Sequence, residues 1–209
     1  FGETTPREPC KDRVASGQAL FGDLHIHTAL SNDAWNFDVR TQPDDAYAYA
    51  FGEPIHLPLG DDHRARKVQI DRPLDFAGVT DHAEFFGEQS VCQDPAAAGY
   101  SSDFCDVMRS GEGRAPQLVM QIMSPFSKRK TSVCGEEGAD CAVRSVATWQ
   151  QIIEAAQRWN DTSGNCERTT FIAYEYSSFR LGSNLHRNVV FRNAAVLRRP
   201  VSYLDVHRE

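Results

Sequence analysis

Two histidines one residue apart, His25 and His27, close a short apolar segment near the start of the chain. Successive side chains of a β-strand point to opposite faces, so these two imidazoles face the same way if the segment is a strand. Paired imidazoles at a strand end are typical of a metal site, although a hydrogen-bonded pair of core histidines has the same spacing. The metal interpretation gains weight because His82, Glu175 and His186 each lie in or beside another short apolar run.

Four short apolar segments are predicted to be the strands that carry these side chains. They cover residues 19–27, 74–80, 171–174 and 189–191, and His186 is expected at the start of the last one. Helices are predicted over residues 43–52, between Pro43 and Gly52, and over 145–160, where a helical period places Trp149 and Trp159 in the core. Residues 53–72 are expected to form an irregular excursion or a hairpin. Strands separated by helices or long connections favour an α/β fold.

Four of the candidate ligands share a position at or just past the carboxyl end of a predicted strand: His25, His27, His82 and Glu175. In a parallel α/β barrel the loops at that end gather side chains from separate strands, which makes it the catalytic face. Asp33, in the loop after the first strand, is a further candidate oxygen ligand. A solvated loop carboxylate or a helix cap is the alternative interpretation of Asp33.

Length and charge exclude several classes of protein. The chain has 209 residues, 41% of them hydrophobic, and a net charge of −7, which suits one ordinary domain and argues against a nucleic-acid surface. The basic residues 128–130 are interpreted as a solvated loop. No run of about twenty apolar residues is present, so no membrane span is predicted.

Six cysteines are many for a cytosolic chain of this length, and none form a Cys-x-x-Cys pair. Their even number predicts three disulfides and an oxidising compartment, periplasmic or secreted, with six free thiols as the alternative. Two local pairs bracket polar loops and two cysteines are left over: Cys92 with Cys105, Cys134 with Cys141, and Cys10 and Cys166. Residues 1–18 are predicted to be an N-terminal arm, and residues 83–142 a long insertion braced by disulfides.

Three segments together resemble the polymerase-and-histidinol-phosphatase (PHP) superfamily. The first motif of that superfamily resembles residues 22–35, GDLHIHTALSNDAW, and the second resembles residues 74–85, LDFAGVTDHAEF. A segment of one branch, large bacterial proteins with an uncharacterised PHP-like domain, is similar to residues 171–193, FIAYEYSSFRLGSNLHRNVVFRN. The resemblance implies that residues 19–209 are the N-terminal part of a distorted (β/α)₇ barrel. It also implies up to three divalent ions, of zinc, manganese or iron.

The resemblance assigns a role to each candidate ligand. His25, His27 and Glu175 would hold one ion and form the catalytic set, and Glu175 would bridge to a second ion shared with His186. Asp33 and His82 would hold a third ion. Asp81 would orient the His82 loop without binding metal. Arg180 and Arg187 could clamp a phosphate, with ordinary surface salt bridges as the alternative for both.

These roles predict a metal-dependent hydrolase, a phosphoesterase that uses metal-activated water on a small-molecule phosphoester. The alternatives are a non-catalytic metal-containing binding module, and metal-assisted hydrolysis of another ester or an amide. The superfamily closes its sites with later ligands, and Asp205-Val206-His207 is not interpreted as that closing motif. The remaining ligands are therefore expected in a C-terminal remainder of the same protein.

Overall fold

The structure is a computed structural model that describes residues 8–14, 17–57, 66–110, 129–180 and 183–206. Within these residues the fold is mixed α/β, as predicted, with parallel and antiparallel strands and no closed barrel. No helix in this part of the chain is both long and apolar enough to cross a membrane.

A three-stranded parallel sheet positions the first candidate ligands. Its strands are β1 (Gly22–Ile26), β4 (Phe76–Val79) and β5 (Thr169–Thr170), with β4 in the centre and parallel to both neighbours. Because the strands are parallel, the loops that follow them leave from one edge of the sheet. Beyond the end of β4, His82 pairs with Glu175 in a single parallel bridge. The parallel pairing therefore continues past the three strands of the sheet and brings Glu175 beside His82.

An antiparallel hairpin follows the sheet, formed by β6 (Ala173–Arg180) and β7 (Ser183–Val190). The prediction that His186 lies at the start of its strand is wrong, because His186 lies within β7 and pairs with Ser177. The apolar residues 189–191 cover only the end of β7 and the residue after it, where Val189 and Phe191 pack against the core. The polar residues before them are held in the strand by backbone pairing with β6, which hydrophobic periodicity does not report.

The other strands form a second hairpin, β2 (Ile55–Leu57) and β3 (Arg66–Val68). Residues 53–72 were expected to be an excursion or a hairpin, and the hairpin is confirmed. Its connection, residues 58–65, lies outside the described part of the chain.

Two predicted helices pack against the parallel sheet. The first, α2 (Pro43–Ala50), has Pro43 in its first turn and ends before Gly52, whose φ of +85° favours glycine. The second spans Ala139–Trp159, and so begins six residues before the predicted start at residue 145. Its buried face joins α2 and the sheet in one core, which contains Tyr47, Val79, Trp149, Ile152, Ala156 and Tyr174.

Residues 83–142 contain short helices, whereas the sequence showed no sustained period there. A 3₁₀ turn (Ala83–Phe85) leads into α3 (Phe86–Gln93), and the described residues of this segment also form α4 (Asp103–Ser110), α5 (Thr131–Cys134) and a 3₁₀ turn (Glu136–Gly138). Residues 111–128 lie outside the described part of the chain. A second core forms around two disulfides, Cys92–Cys105 and Cys134–Cys141, which are bonded as predicted. Helices this short carry too few residues for a periodic signal, and their stability comes from the disulfides and the shared core. The two remaining short helices are α1 (Asn32–Asn36) and α7 (Tyr203–Val206), and the long helix Ala139–Trp159 is α6. Tyr203 and Leu204 of α7 belong to the second core.

The third disulfide, Cys10–Cys166, ties the N-terminal arm to the loop before β5. Backbone hydrogen bonds reinforce it, since Glu8 N–H donates to the Thr162 carbonyl and Lys11 N–H to that of Gly164. All six cysteines are therefore paired, as predicted. Three disulfides are compatible with an extracellular or secreted protein.

Candidate metal centre

His25 and His27 lie at the carboxyl end of β1, and the predicted common face is observed. Their ring centroids are 5.0 Å apart, and the Nε2 atoms of both rings contact one carboxylate oxygen, Glu175 Oε2. The distances to that oxygen are 3.0 Å from His25 and 2.8 Å from His27. The alternation of side chains in an extended strand is thus sufficient to aim both imidazoles at one point.

Glu175 is the centre of the cluster. Its residue is 0% exposed, yet its oxygens face four imidazoles contributed by β1, the loop after β4, and β7. Oε1 contacts Nδ1 of His186, and Oε2 lies 3.9 Å from Nε2 of His82. A buried carboxylate requires compensating charge or hydrogen bonds, and here the histidines supply them.

Asp33, on α1, closes a second group with His27 and His82. Its Oδ2 lies 2.9 Å from His27 Nδ1 and 3.5 Å from His82 Nε2. The structure therefore brings together all six predicted metal ligands, which come from five separate segments. They form three overlapping sets whose potential ligand atoms all lie within 4.8 Å of one another: His25–His27–Glu175, His27–Asp33–His82 and His82–Glu175–His186.

These donor sets fit divalent ions. Two ligand atoms about 2.1 Å from one ion, at tetrahedral or octahedral angles, lie roughly 3.0–3.4 Å apart. The nitrogen–oxygen distances in the cluster run from 2.8 to 3.9 Å for the pairs around Glu175 Oε2, so small shifts would place an ion between them. Imidazole nitrogen with carboxylate oxygen is the donor chemistry that zinc, manganese and iron share.

The charges of the cluster are strongly coupled. Burial alone would lower the pKa of His27, but hydrogen bonds with Asp33 and Glu175 raise that pKa to about 9. Burial is likewise outweighed at His82, where Asp33 and Glu84 raise the pKa to about 10. Burial would raise the pKa of Glu175, yet the surrounding imidazoles lower it to about 2, and the pKa of Asp33 is lowered for the same reason. Protons on His27 and His82 thus occupy nitrogens that a divalent ion would need.

Asp81 is buried beside the cluster and contacts a different loop from the expected one. Its carboxylate accepts hydrogen bonds from Thr28 N–H at 2.5 Å and Thr28 Oγ at 2.7 Å, so it holds the loop directly after His27. Its backbone carbonyl accepts a hydrogen bond from Glu175 N–H. Burial raises the pKa of Asp81 to about 6, against the effect of the Thr28 hydrogen bonds. Asp81 belongs to none of the three ligand sets in the described residues.

The two predicted phosphate-binding arginines have different outcomes. Arg187 pairs with Tyr176 across the hairpin, so its side chain leaves the face opposite to the one that carries His186. The side chain of Arg180 lies outside the described part of the structure. A substrate role for each remains a prediction.

Two other groups of potential ligands lie apart from the cluster. Asp205, of the Asp-x-His triplet, accepts hydrogen bonds from Arg199 and Ser202, while His207 lies outside the described residues. Glu88 lies near Cys134 and Cys141, but those sulfurs form a disulfide, which removes the thiolate that a metal would bind.

Several supporting side chains were not predicted from the sequence. Ser31 is fully buried, donates to Asp33 Oδ1 at 2.6 Å, and accepts the backbone N–H of His82 at 3.0 Å. Asn188, two residues after His186 on the same strand face, donates to the Leu24 carbonyl at 2.8 Å and so fastens β7 to β1. The alternation of His186 and Asn188 was the available signal for Asn188, whereas nothing in the local sequence distinguishes Ser31.

Comparison with known proteins gives a family. No curated protein and no solved structure matches the chain. A family model described as "Protein of unknown function (DUF3604)" matches residues 14–209, which is nearly the whole sequence. The chain therefore belongs to the DUF3604 family.

Proposed function

We propose that the protein is a metal-dependent hydrolase, and that its reaction is the hydrolysis of a phosphoester. The observation that carries this proposal is the position of Glu175, a fully buried carboxylate whose oxygens face four imidazoles from different segments. A fold that needed only a stable core would bury apolar side chains here, because a buried carboxylate is costly to desolvate.

The three ligand sets have residues in common, and this suits a cluster of ions better than separate sites. His25, His27 and Glu175 would hold one ion, and Glu175 with His186 a second. Asp33 and His82 would hold a third, next to His27. Divalent ions bound there would lower the pKa of a water molecule and neutralise negative charge on a phosphoester.

The exposure of the ligands indicates the side from which a substrate would approach. The side chains of His25 and His186 are 61% and 39% exposed, whereas those of His82 and Glu175 are 9% and 0% exposed. The cluster thus has a buried inner wall and an open outer wall. The inner residues fix the positions of the ligands, and the outer imidazoles face the solvent from which a substrate and a water molecule would enter.

The PHP resemblance and the cysteines extend this proposal. Ligands at the carboxyl ends of parallel strands are what a PHP-type barrel would require, so we assign the parallel sheet to the N-terminal part of such a barrel. The three disulfides support a periplasmic or secreted location.

The test combines metal content with phosphate release. The purified full chain should contain zinc, manganese or iron by elemental analysis, and should release phosphate from a panel of small phosphoesters in a chelator-sensitive reaction. His25→Ala and Glu175→Ala should abolish the release, and the exposed His56→Ala and Glu167→Gln should not. Stoichiometric metal without release from any phosphoester would favour a binding module or another hydrolytic reaction. A protein that binds no metal would overturn the proposal.

A further inference from the structure

Glu84 is a buried carboxylate next to the cluster that belongs to none of its ligand sets. The residue is 3% exposed and lies on the 3₁₀ turn that follows His82. Its Oε1 accepts the backbone N–H of Ser177 at 2.7 Å. Its Oε2 is buried without a hydrogen-bond partner among the described residues, and lies 3.5 Å from His82 Nδ1.

An unpaired buried carboxylate oxygen is costly, so a donor that lies 3.5 Å from it matters. His82 Nδ1 is that donor when it carries the ring proton, because Glu84 Oε2 then accepts it after a small movement. The other ring nitrogen, Nε2, faces the opposite way, 3.5 Å from Asp33 Oδ2 and 3.9 Å from Glu175 Oε2. The ring therefore has one nitrogen toward the ligands and the other toward Glu84.

Ser177 offers a second acceptor to the same nitrogen, but its hydroxyl does not discriminate between the two tautomers of His82. Its hydroxyl lies 2.9 Å from His82 Nδ1 and also 3.2 Å from His186 Nδ1, so two imidazoles share it. A hydroxyl can donate or accept, and it is satisfied by either tautomer of His82. An ionised carboxylate only accepts, and it therefore selects the tautomer with the proton on Nδ1.

We propose that Glu84 is a positioning residue for the metal ligand His82. By accepting a hydrogen bond from the Nδ1–H group of His82, it leaves the Nε2 lone pair free and directed at Asp33 and Glu175. Metal-binding histidines commonly donate their other nitrogen to a carboxylate in this way. Through Oε1, Glu84 also fixes the backbone of Ser177, two residues after Glu175, so one side chain sets the spacing of two ligands. This inference rests on the proposed metal centre and adds a residue to it.

The variant Glu84→Gln tests the role at nearly constant volume. Glutamine has one acceptor oxygen for two donors, and its amide group would face the Nδ1 proton of His82. We expect affinity for the ion at Asp33 and His82 to fall by about 10–100-fold, the usual effect of losing such a partner. The matched control is Glu88→Gln, a buried carboxylate four residues later that pairs with Arg129 at 2.7 Å.

Cobalt is a suitable probe because Co²⁺ bound to histidine and carboxylate absorbs visible light. Metal-free full chain is titrated with Co²⁺, and stoichiometry, dissociation constants and spectra are compared for wild type, Glu84→Gln and Glu88→Gln. Glu84→Gln should weaken one ion and alter its absorption, and Glu88→Gln should do neither. In a His82→Ala background, Glu84→Gln should have no further effect, because glutamine keeps one oxygen to accept the Ser177 N–H and the lost carboxylate oxygen acts only through His82.

Each outcome has one meaning. Wild-type affinity and spectrum in Glu84→Gln, an equal loss in Glu88→Gln, or an added loss in the His82→Ala background would overturn the role of Glu84 while leaving the metal centre intact. Wild-type protein that binds no Co²⁺ would overturn the proposed function, and this inference with it. If Glu84→Gln does not fold, Glu84→Asp replaces it. That side chain keeps the charge but is one methylene shorter, so the same ion should bind less tightly, and unchanged binding would refute the proposal.

Discussion

Substitution of the central carboxylate, Glu175→Gln, should disrupt metal binding more than any other single conservative change. Glutamine preserves the size of the side chain but removes its charge and replaces one acceptor oxygen with an NH₂ group. In the structure both oxygens are engaged, Oε2 by His25 and His27 and Oε1 by His186. No position for glutamine can therefore serve both groups of imidazoles.

The expected loss of metal affinity follows from the number of ligand sets to which Glu175 belongs. Four-ligand zinc sites in small domains bind with about 10–16 kcal/mol, or roughly 2.5–4 kcal/mol per ligand, which is about a 10²–10³-fold change in dissociation constant. Glu175 belongs to two of the three sets, His25–His27–Glu175 and His82–Glu175–His186. Two ions should therefore weaken by about this factor, and the ion at Asp33 should be less affected.

Competition between the protein and a chromophoric zinc chelator measures these constants, and elemental analysis after gel filtration gives the stoichiometry. The control is Glu167→Gln, the same chemical change on an exposed loop residue close in sequence. Circular dichroism with and without chelator separates loss of metal from loss of fold. If Glu175→Gln retains the wild-type stoichiometry and binds every ion within threefold of wild type, Glu175 is not a shared ligand.

Three further predictions concern stability. The raised pKa values of His27 and His82 give metal-free protein a stabilisation that is complete below pH 6.5 and lost as the pH rises through about 9 and 10. Its melting temperature should therefore fall over that range, while its affinity for zinc should rise as the imidazoles lose their protons. A melting temperature and a zinc affinity that both stay constant would contradict the coupling between these histidines and the carboxylates. Replacing Cys10 and Cys166 with serine opens a loop with a sequence separation of 156 and should lower the free energy of unfolding by about 2–5 kcal/mol in guanidinium titrations. A loss well below 1 kcal/mol would show that the arm adds little to the fold. Asp81→Asn, which leaves one acceptor for two donors, should cost about 1–3 kcal/mol in the same assay without changing metal stoichiometry. A lost ion would contradict this purely structural role of Asp81.

The sequence predicted the cluster better than it predicted the scaffold around it. The spacing of His25 and His27 was sufficient because a strand alternates its faces. The prediction that residues 171–174 form a strand ending at Glu175 is wrong, because this apolar run leads into β6, of which Glu175 is the third residue. His186 was misplaced within its strand because its neighbours are polar and paired only through their backbones. Long-range pairing of this kind leaves no local periodicity for a single sequence to show.

The supporting residues were hidden for a related reason. Ser31 and Glu84 act through contacts with His82 and Ser177, and each contact depends on how separate loops meet. Local disulfides, in contrast, were predictable: the short separation of Cys92 and Cys105 makes their pairing a local event, and Cys10–Cys166 followed as the remaining pair.

The central claim is that ions bind around Glu175, and anomalous X-ray diffraction tests it most directly. Crystals of the full chain grown with Zn²⁺ and measured at the zinc absorption edge should show peaks about 2.0–2.2 Å from a Glu175 oxygen and from Nε2 of His25 and His27. Ordered side chains of residues 25, 27 and 175 with no anomalous peak between them, in crystals soaked to millimolar zinc, would contradict the account.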